Sequence, residues 1–241
     1  MSGAARSAAT QREADILSVP QPERNSPLSH PINNVAGTDS AAIAAAIRAL
    51  RAGELVVYPT ETFYALGADP FSEAALARLF ELKGREPGKA VALIAADIAS
   101  AFSLACEIPA DARRLANAFW PGPLTLVVRA RAGLPEGLIG TDGGIGVRVS
   151  PHPIARALAA GLGHPVTATS ANLSGRPAAV TIGEARAAFG EKVKVYLDGG
   201  TLAGGAPSTL IGFDSAGFRL IRAGAISERE FAAVLNAGKR E

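Results

Sequence analysis

The sequence predicts an α/β fold: a twisted sheet of mixed parallel and antiparallel strands, flanked by helices. Three observations predict it. Apolar, β-branched runs alternate with capped, helix-forming segments through the first part of the chain, as in strand–helix units. Short strand-like runs then cluster towards the C-terminus, which mixes the polarity of the sheet. The 241 residues are 48% apolar, ample for a sizeable core. Neither an internal repeat nor a composition break divides residues 37–241, which are therefore read as a single domain.

Residues 1–36 are rich in Ala, Ser, Pro, Arg and Asn without a steady period, and are expected to be a disordered or loosely attached tail. Order is expected from Gly37. Asp39 or Ser40 caps a helix that runs to Ala52 and stops at Gly53. Leu55–Tyr58 reads as a buried strand, followed by a polar turn containing Thr60, Glu61, Thr62 and Tyr64, then a helix over 72–83 and a basic loop to Lys89. The run Ala90–Ala95 reads as a central strand, with helices over 97–105 and 110–119 after it. Trp120-Pro-Gly-Pro123 breaks the second of these.

Leu124–Arg129 is a strand, 130–144 a Gly-rich loop, Ile145–Val149 a strand and Pro151–Leu162 a helix. Val166–Thr169 is a strand leading directly into Ser170-Ala171-Asn172. Thr181 and Glu184 have capping-box spacing for a helix to Phe189, and Ser227 and Glu230 repeat it for the last helix. Val193–Leu197, Thr209–Phe213 and Phe218–Ile221 supply the late strands.

Composition excludes several classes of function. A net charge of +2 gives no global field to draw in nucleic acid, so any RNA contact would have to be a local patch. One cysteine, Cys106, excludes an internal disulfide and a cysteine-based zinc site, and fits a reducing, cytoplasmic setting. His30, His152 and His164 have no metal-ligand spacing, so no metal held by protein side chains is expected. No apolar run reaches ~18 residues, so no membrane span is expected. Gly84-Arg85-Glu86-Pro87-Gly88-Lys89 is not a P-loop, because three residues rather than four separate its glycines and Ala90 follows the lysine. Gly143-Gly144-Ile145-Gly146 is not a dinucleotide fingerprint, and no G-x-S-x-G elbow is present.

What remains points to an anionic ligand. Ligands of open α/β sheets sit beyond the carboxyl ends of strands. A hydroxyl-rich turn after the first buried strand therefore marks a site, with Lys83, Arg85 and Lys89 supplying cations just past the following helix. Arg148 lies in an otherwise apolar strand and needs an anionic partner, whether substrate or a structural carboxylate. Arg222 ends another strand, and Ser170 and Asn172 follow a third. Taken singly, the basic residues also suit a helix C-terminus, and Ser170 and Asn172 an ordinary turn.

Taken in order, P-T-E-T-F-Y-A-L-G (59–67), K-G-R (83–85), W-P-G-P-L-T-L-V (120–127), G-V-R (146–148), T-S-A-N-L-S-G-R-P (169–177), S-T-L-I (208–211) and L-I-R-A-G (220–224) resemble the YrdC/TsaC family of threonylcarbamoyl-AMP synthases over roughly residues 38–230. The resemblance implies a single YrdC-like domain in its short form, with a concave basic site open to a weak tRNA contact. It also implies condensation of L-threonine, bicarbonate and ATP, with Mg2+ carried on the ATP, to threonylcarbamoyl-AMP and pyrophosphate. A tRNA threonylcarbamoyl-transferase complex would then modify adenosine 37.

Carried over residue by residue, it places Thr62, Tyr64, Arg148, Ala168 and Ser208 on threonine. It places Arg85, Lys89, Gly144, Ser170, Asn172, Ala178 and Arg222 on ATP, with Lys83 and Arg85 as catalytic cations. Ile94 falls where the family has a threonine-binding histidine, so an apolar pocket wall is expected there. Two other functions fit the same fold: a non-catalytic RNA-binding module, and a carbamoyl-transfer maturation domain of the kind found inside larger chains. The joint presence of Lys83, Arg85, Arg148, Ser170 and Arg222 favours the synthase.

Overall fold

The computed structural model describes residues 32–36, 39–84, 90–214 and 217–237. Among them the chain builds two sheets rather than one. Strands β1 (Ile32–Ala36), β2 (Val56–Pro59), β3 (Tyr64–Gly67), β8 (Thr169–Ser170) and β9 (Val195–Asp198) form a five-stranded sheet in the order β1-β9-β2-β3-β8. Strands β4 (Leu93–Ala95), β5 (Leu124–Arg129), β6 (Gly144–Val149), β7 (Val166–Thr167), β10 (Thr209–Asp214) and β11 (Gly217–Arg222) form a six-stranded sheet in the order β11-β10-β5-β6-β4-β7. Both mix parallel and antiparallel pairs, as expected.

The helices follow their local signals. In α1 (Ser40–Arg51) Asp39 caps the N-terminus by accepting from Ala41 N at 2.9 Å, and in α2 (Glu73–Lys83) Ser72 does the same for Ala75 N. Gly84 closes α2 with φ 56°, a conformation glycine adopts without strain. Helices α3 (Ile98–Phe102) and α4 (Ala110–Phe119) come next, and α5 (Pro153–Leu162) is capped by the His152 ring. The capping box Thr181–Glu184 forms at α6 (Ile182–Phe189), and Ser227 with Glu230 forms its counterpart at α7 (Glu228–Ala237).

The five-stranded sheet is covered on both faces. Ala42, Ala46 and Leu50 of α1 and Ile154, Leu158 and Leu162 of α5 pack on Val56, Tyr58 and Leu197. Ala75 and Leu79 of α2 and Ala185 and Phe189 of α6 pack on Val57, Leu66 and Tyr196. The six-stranded sheet buries one face fully: Leu93, Leu124, Leu126, Val128, Val147 and Ile211 meet Phe102, Leu115 and Phe231 from α3, α4 and α7. Among the described residues its other face is covered at the β4–β7 end, where Ile94 and Val166 join the core of the second sheet.

Three expectations need correction. Tyr64, read as part of a polar turn, opens strand β3, which pairs antiparallel with β2 because the turn closes already at Thr60–Phe63. Ile32–Ala36 lies within the stretch assigned to the tail, yet it pairs in parallel with β9, and residues 31–241 form one compact unit. Asn33 and Asn34 break the apolar alternation that would have marked a strand; the segment is held by backbone pairing with β9 instead. Val166–Thr169 is not one strand. Thr167 pairs with Leu93 in one sheet and Thr169 with Leu66 in the other, so the chain changes sheets at Ala168. The Ala168 amide donates to Ala92 O at 2.8 Å between them.

Candidate active site

Side-chain alternation along β-strands turns the uncovered sheet face into a wall. Leu210 pairs with Arg222 on one side and Thr125 on the other. One step along the antiparallel register from the Leu126–Val147 pair brings Thr125 to Arg148, and Arg148 pairs with Ile94. Arg222, Leu210, Thr125, Arg148 and Ile94 thus form one row across five strands. The first four line a cleft of about 800 Å³, whose opposite rim is the β2–β3 turn (Thr62, Phe63), the end of α2 (Lys83, Gly84) and the loop Ser170–Ala178.

The rim is built by short-range chemistry. Thr60 Oγ1 donates to Phe63 O at 2.6 Å and tightens the hairpin, and the Thr62 carbonyl accepts from Gly204 N at 2.9 Å. Glu61 in this turn holds two partners at once. It pairs with Arg148 Nη1, and its second oxygen accepts from Ser150 Oγ at 2.6 Å. This supplies the structural carboxylate that a buried arginine needs. Glu61 does not line the cleft, whereas Arg148 does.

On the same wall Arg222 Nη2 donates to Ser208 O at 2.8 Å and Ser208 Oγ at 3.2 Å, and Ser208 Oγ shares a 2.9 Å hydrogen bond with Thr125 Oγ1. Burial, followed by the positive charge of Arg148, pushes the Arg222 guanidinium below its ordinary pKa. Two cations that disfavour each other on one wall of a cleft are arranged to receive an anion.

Lys83 faces the cleft from the opposite rim, but its ammonium is turned into the loop. It donates to Ser170 O (2.7 Å), Asn172 O (2.6 Å) and Asn172 Oδ1 (3.0 Å).

The structure brings together Thr62, Lys83, Arg148, Ala168, Ser170, Asn172, Ala178, Ser208 and Arg222 of the sequence-derived set. Arg85 and Lys89 lie outside the described residues. Tyr64 is not on the cleft wall. The hairpin closes one residue before it, so Tyr64 opens β3 fully buried, donating to Gly200 O at 2.7 Å and accepting from Gly199 N at 2.9 Å. Burial pushes its hydroxyl up to about 12.

Gly144 is also absent from the cleft. It starts β6 four residues before Arg148, about 13 Å along the strand, and lines a separate cavity with Asp142, Gly212 and Arg219. Ile94 is fully buried against Val56, Ile154 and Val166, under the second sheet; the apolar cleft lining from this strand's approach is Ala90 and Ala92.

Sequence reading passed over Thr125, Ser150 and Ser174. Thr125 carried a signal, as the one polar residue inside Leu124–Val128.

Comparison with known proteins identifies the fold. A family model described as Sua5/YciO/YrdC, telomere recombination, matches residues 48–224, well over half of the chain. The chain belongs to the Sua5/YciO/YrdC family. A Mycobacterium leprae relative is 42% identical over 193 residues, 80% of this chain and 87% of its own length. The threonylcarbamoyl-AMP synthase of Chromohalobacter salexigens is 42% identical over 168 residues, 70% of this chain and 90% of its own. Pyrococcus abyssi Sua5, solved in complex with L-threonine, superposes with a TM-score of 0.79 at 35% identity, covering 84% of this chain. This chain spans 60% of that Sua5 chain. Among the described residues of this family member no helix is long and apolar enough to cross a membrane.

Proposed function

We propose that this chain is an L-threonylcarbamoyladenylate synthase, a nucleotidyltransferase that condenses L-threonine, bicarbonate and ATP. The observation that carries the reading is the cleft of a family member in which Arg148 and Arg222 converge on one wall opposite the Ser170–Ala178 loop. Relatives named threonylcarbamoyl-AMP synthase and the Sua5 complex with L-threonine support it.

The reaction brings anions together. Threonine nitrogen bonds to the bicarbonate carbon with loss of water. A carbamate oxygen then attacks the α-phosphorus, the bond to the β-phosphate breaks, and pyrophosphate leaves. Fixed cations offset the charge repulsion and stabilise the departing pyrophosphate, and positioning supplies much of the remainder. No nucleophilic side chain is needed.

Arg148 receives the threonine carboxylate on the guanidinium nitrogens that Glu61 does not hold, since a planar fork matches a carboxylate in two prongs. Thr62 and Ser208, which line the same cleft, orient the amino acid, with backbone at Ala168. Arg222 takes the phosphates from the wall, with Arg85 and Lys89 from the basic loop. Ser170, Asn172 and Ala178 carry the nucleotide. Mg2+ arrives on the triphosphate. The product passes to a tRNA threonylcarbamoyl-transferase complex in the cytoplasm.

The test is pyrophosphate release from protein, ATP and bicarbonate with and without threonine. Threonine-dependent release is expected. An RNA-binding module of the same fold gives none.

A further inference from the structure

Lys83 ends α2 and is 5% exposed. An ammonium carries three N–H donors and accepts nothing. Here three acceptors converge on it: the carbonyls of Ser170 and Asn172 and the side-chain oxygen of Asn172, all within 3.0 Å. The Lys83 carbonyl in turn accepts from Ser174 Oγ at 2.7 Å and Ser174 N at 3.3 Å. A single residue therefore grips the loop at positions 170, 172 and 174.

The loop is knitted further around the same point. Asn172 Oδ1 also accepts from Ser170 Oγ, and Asn172 Nδ2 donates to Arg176 O. Two carbonyl dipoles and an amide oxygen aimed at one spot create a negative focus, which a compact cation satisfies. A planar guanidinium does not fit it. Arg222 differs in kind: it is exposed and, among the described residues, donates to Ser208 O and Oγ.

We propose that Lys83 is a positioning residue that orders the Ser170–Arg176 loop and acts on the nucleotide through Asn172 and the loop backbone, not by touching the reacting phosphates. What the loop holds rests on the synthase reading. That Lys83 orders it does not.

Amide hydrogen exchange on the protein without substrates reads the loop directly. The amides of Ala171, Asn172, Ser174 and Arg176 donate to Tyr64 O, Ser170 O, Lys83 O and Leu173 O. In Lys83→Met they should exchange at least about tenfold faster, while β5 and β6 keep their protection. With ATP and threonine, Lys83→Met should raise KM for ATP more than it lowers kcat. Combined with Asn172→Ala it should lose little beyond the worse single change, because residues acting as one unit are not additive.

Unchanged loop exchange together with a fall in kcat at constant ATP KM would overturn the proposal and put Lys83 on the phosphates. Additive losses in the double variant would overturn it too. If Lys83→Met loosens β5 and β6 as well, Asn172→Ala carries the exchange test: faster exchange confined to 171–176 supports the proposal, and none overturns it. A wild-type protein that releases no threonine-dependent pyrophosphate would remove the synthase reading and leave the exchange result standing.

Discussion

The two walls of the cleft use their cations in opposite ways. On the sheet wall, Arg148 and Arg222 stand on strands packed against a core and line the cleft, each with one guanidinium nitrogen held by the protein, on Glu61 and on Ser208. Strand registry fixes where they point: the row from Arg222 through Leu210 and Thr125 to Arg148 cannot slip by one residue without moving Leu124, Leu126 and Val147 out of the core. On the loop wall, Lys83 spends its donors on protein carbonyls, and the wall is ordered by that lysine. A cation in a cleft acts on whatever its donors face, and three basic residues in one cleft are therefore not three phosphate contacts.

The sharpest way to break this contrast is Arg222→Met. Removing a charge that stabilises a phosphoryl transition state typically costs ~2.7–4 kcal/mol, about 10²–10³ in rate. Turnover should fall by that factor, and because Arg222 is exposed the melting temperature should move by no more than a few degrees. Near wild-type turnover would make the sheet wall as structural as the loop wall.

Arg148→Lys sharpens the comparison by separating charge from shape. Lysine can keep the pairing with Glu61 but offers no second prong. A lost charge-assisted hydrogen bond is worth about 1.5–3 kcal/mol, so the threonine KM should rise by ~10- to 100-fold with the ATP KM hardly changed. Steady-state pyrophosphate release at varied threonine and varied ATP measures both. A rise in the ATP KM alone would move Arg148 to the phosphate side of the cleft.

The sheet behind the loop wall can be tested at its edge. A chain beginning at Pro31 should melt and turn over like the full chain. One beginning at Gly37 lacks β1 and leaves the β9 edge open. Losing two or three net backbone hydrogen bonds costs ~1–3 kcal/mol, so it should melt several degrees lower. Equal melting temperatures would mean that β1 adds no stability.

The smallest effect expected concerns pH. Burial holds the His152 pKa below its ordinary value, opposed in part by Glu61. The folded group thus binds its proton less readily than the unfolded one. Stability from the neutral ring is full above the unfolded value, about 6.5, and is lost as pH falls from there through the folded value. His152→Asn keeps a helix-capping acceptor and removes the titration. Its stability, followed by denaturant melts between about pH 7 and 5, should decline less steeply than that of wild type.

The sequence by itself determined the helices and most of the strands, though not β1, β3 or the change of sheet at Ala168. Helix ends were written in Asp39, Ser72, the Thr181–Glu184 box and Gly84, because caps satisfy backbone groups within a few residues of themselves. β5 was legible from Leu124–Arg129, since one fully buried face and a β-branched run leave a local pattern. Nine of the residues that the motifs single out line one cleft, because most of them lie at or near the ends of such elements.

Only the tertiary structure decided which way those residues face. The hairpin turn put Tyr64 inside the sheet with its hydroxyl on Gly200, β6 carried Gly144 about 13 Å from Arg148, and the second sheet covered Ile94. The partners of the cations were decided the same way. Glu61 meets Arg148 across 87 positions and Lys83 meets Ser170 across the same separation. Sequence patterns report the face a residue shows within its own turn or strand. What stands opposite that face is set by how distant elements pack, and no local pattern encodes it.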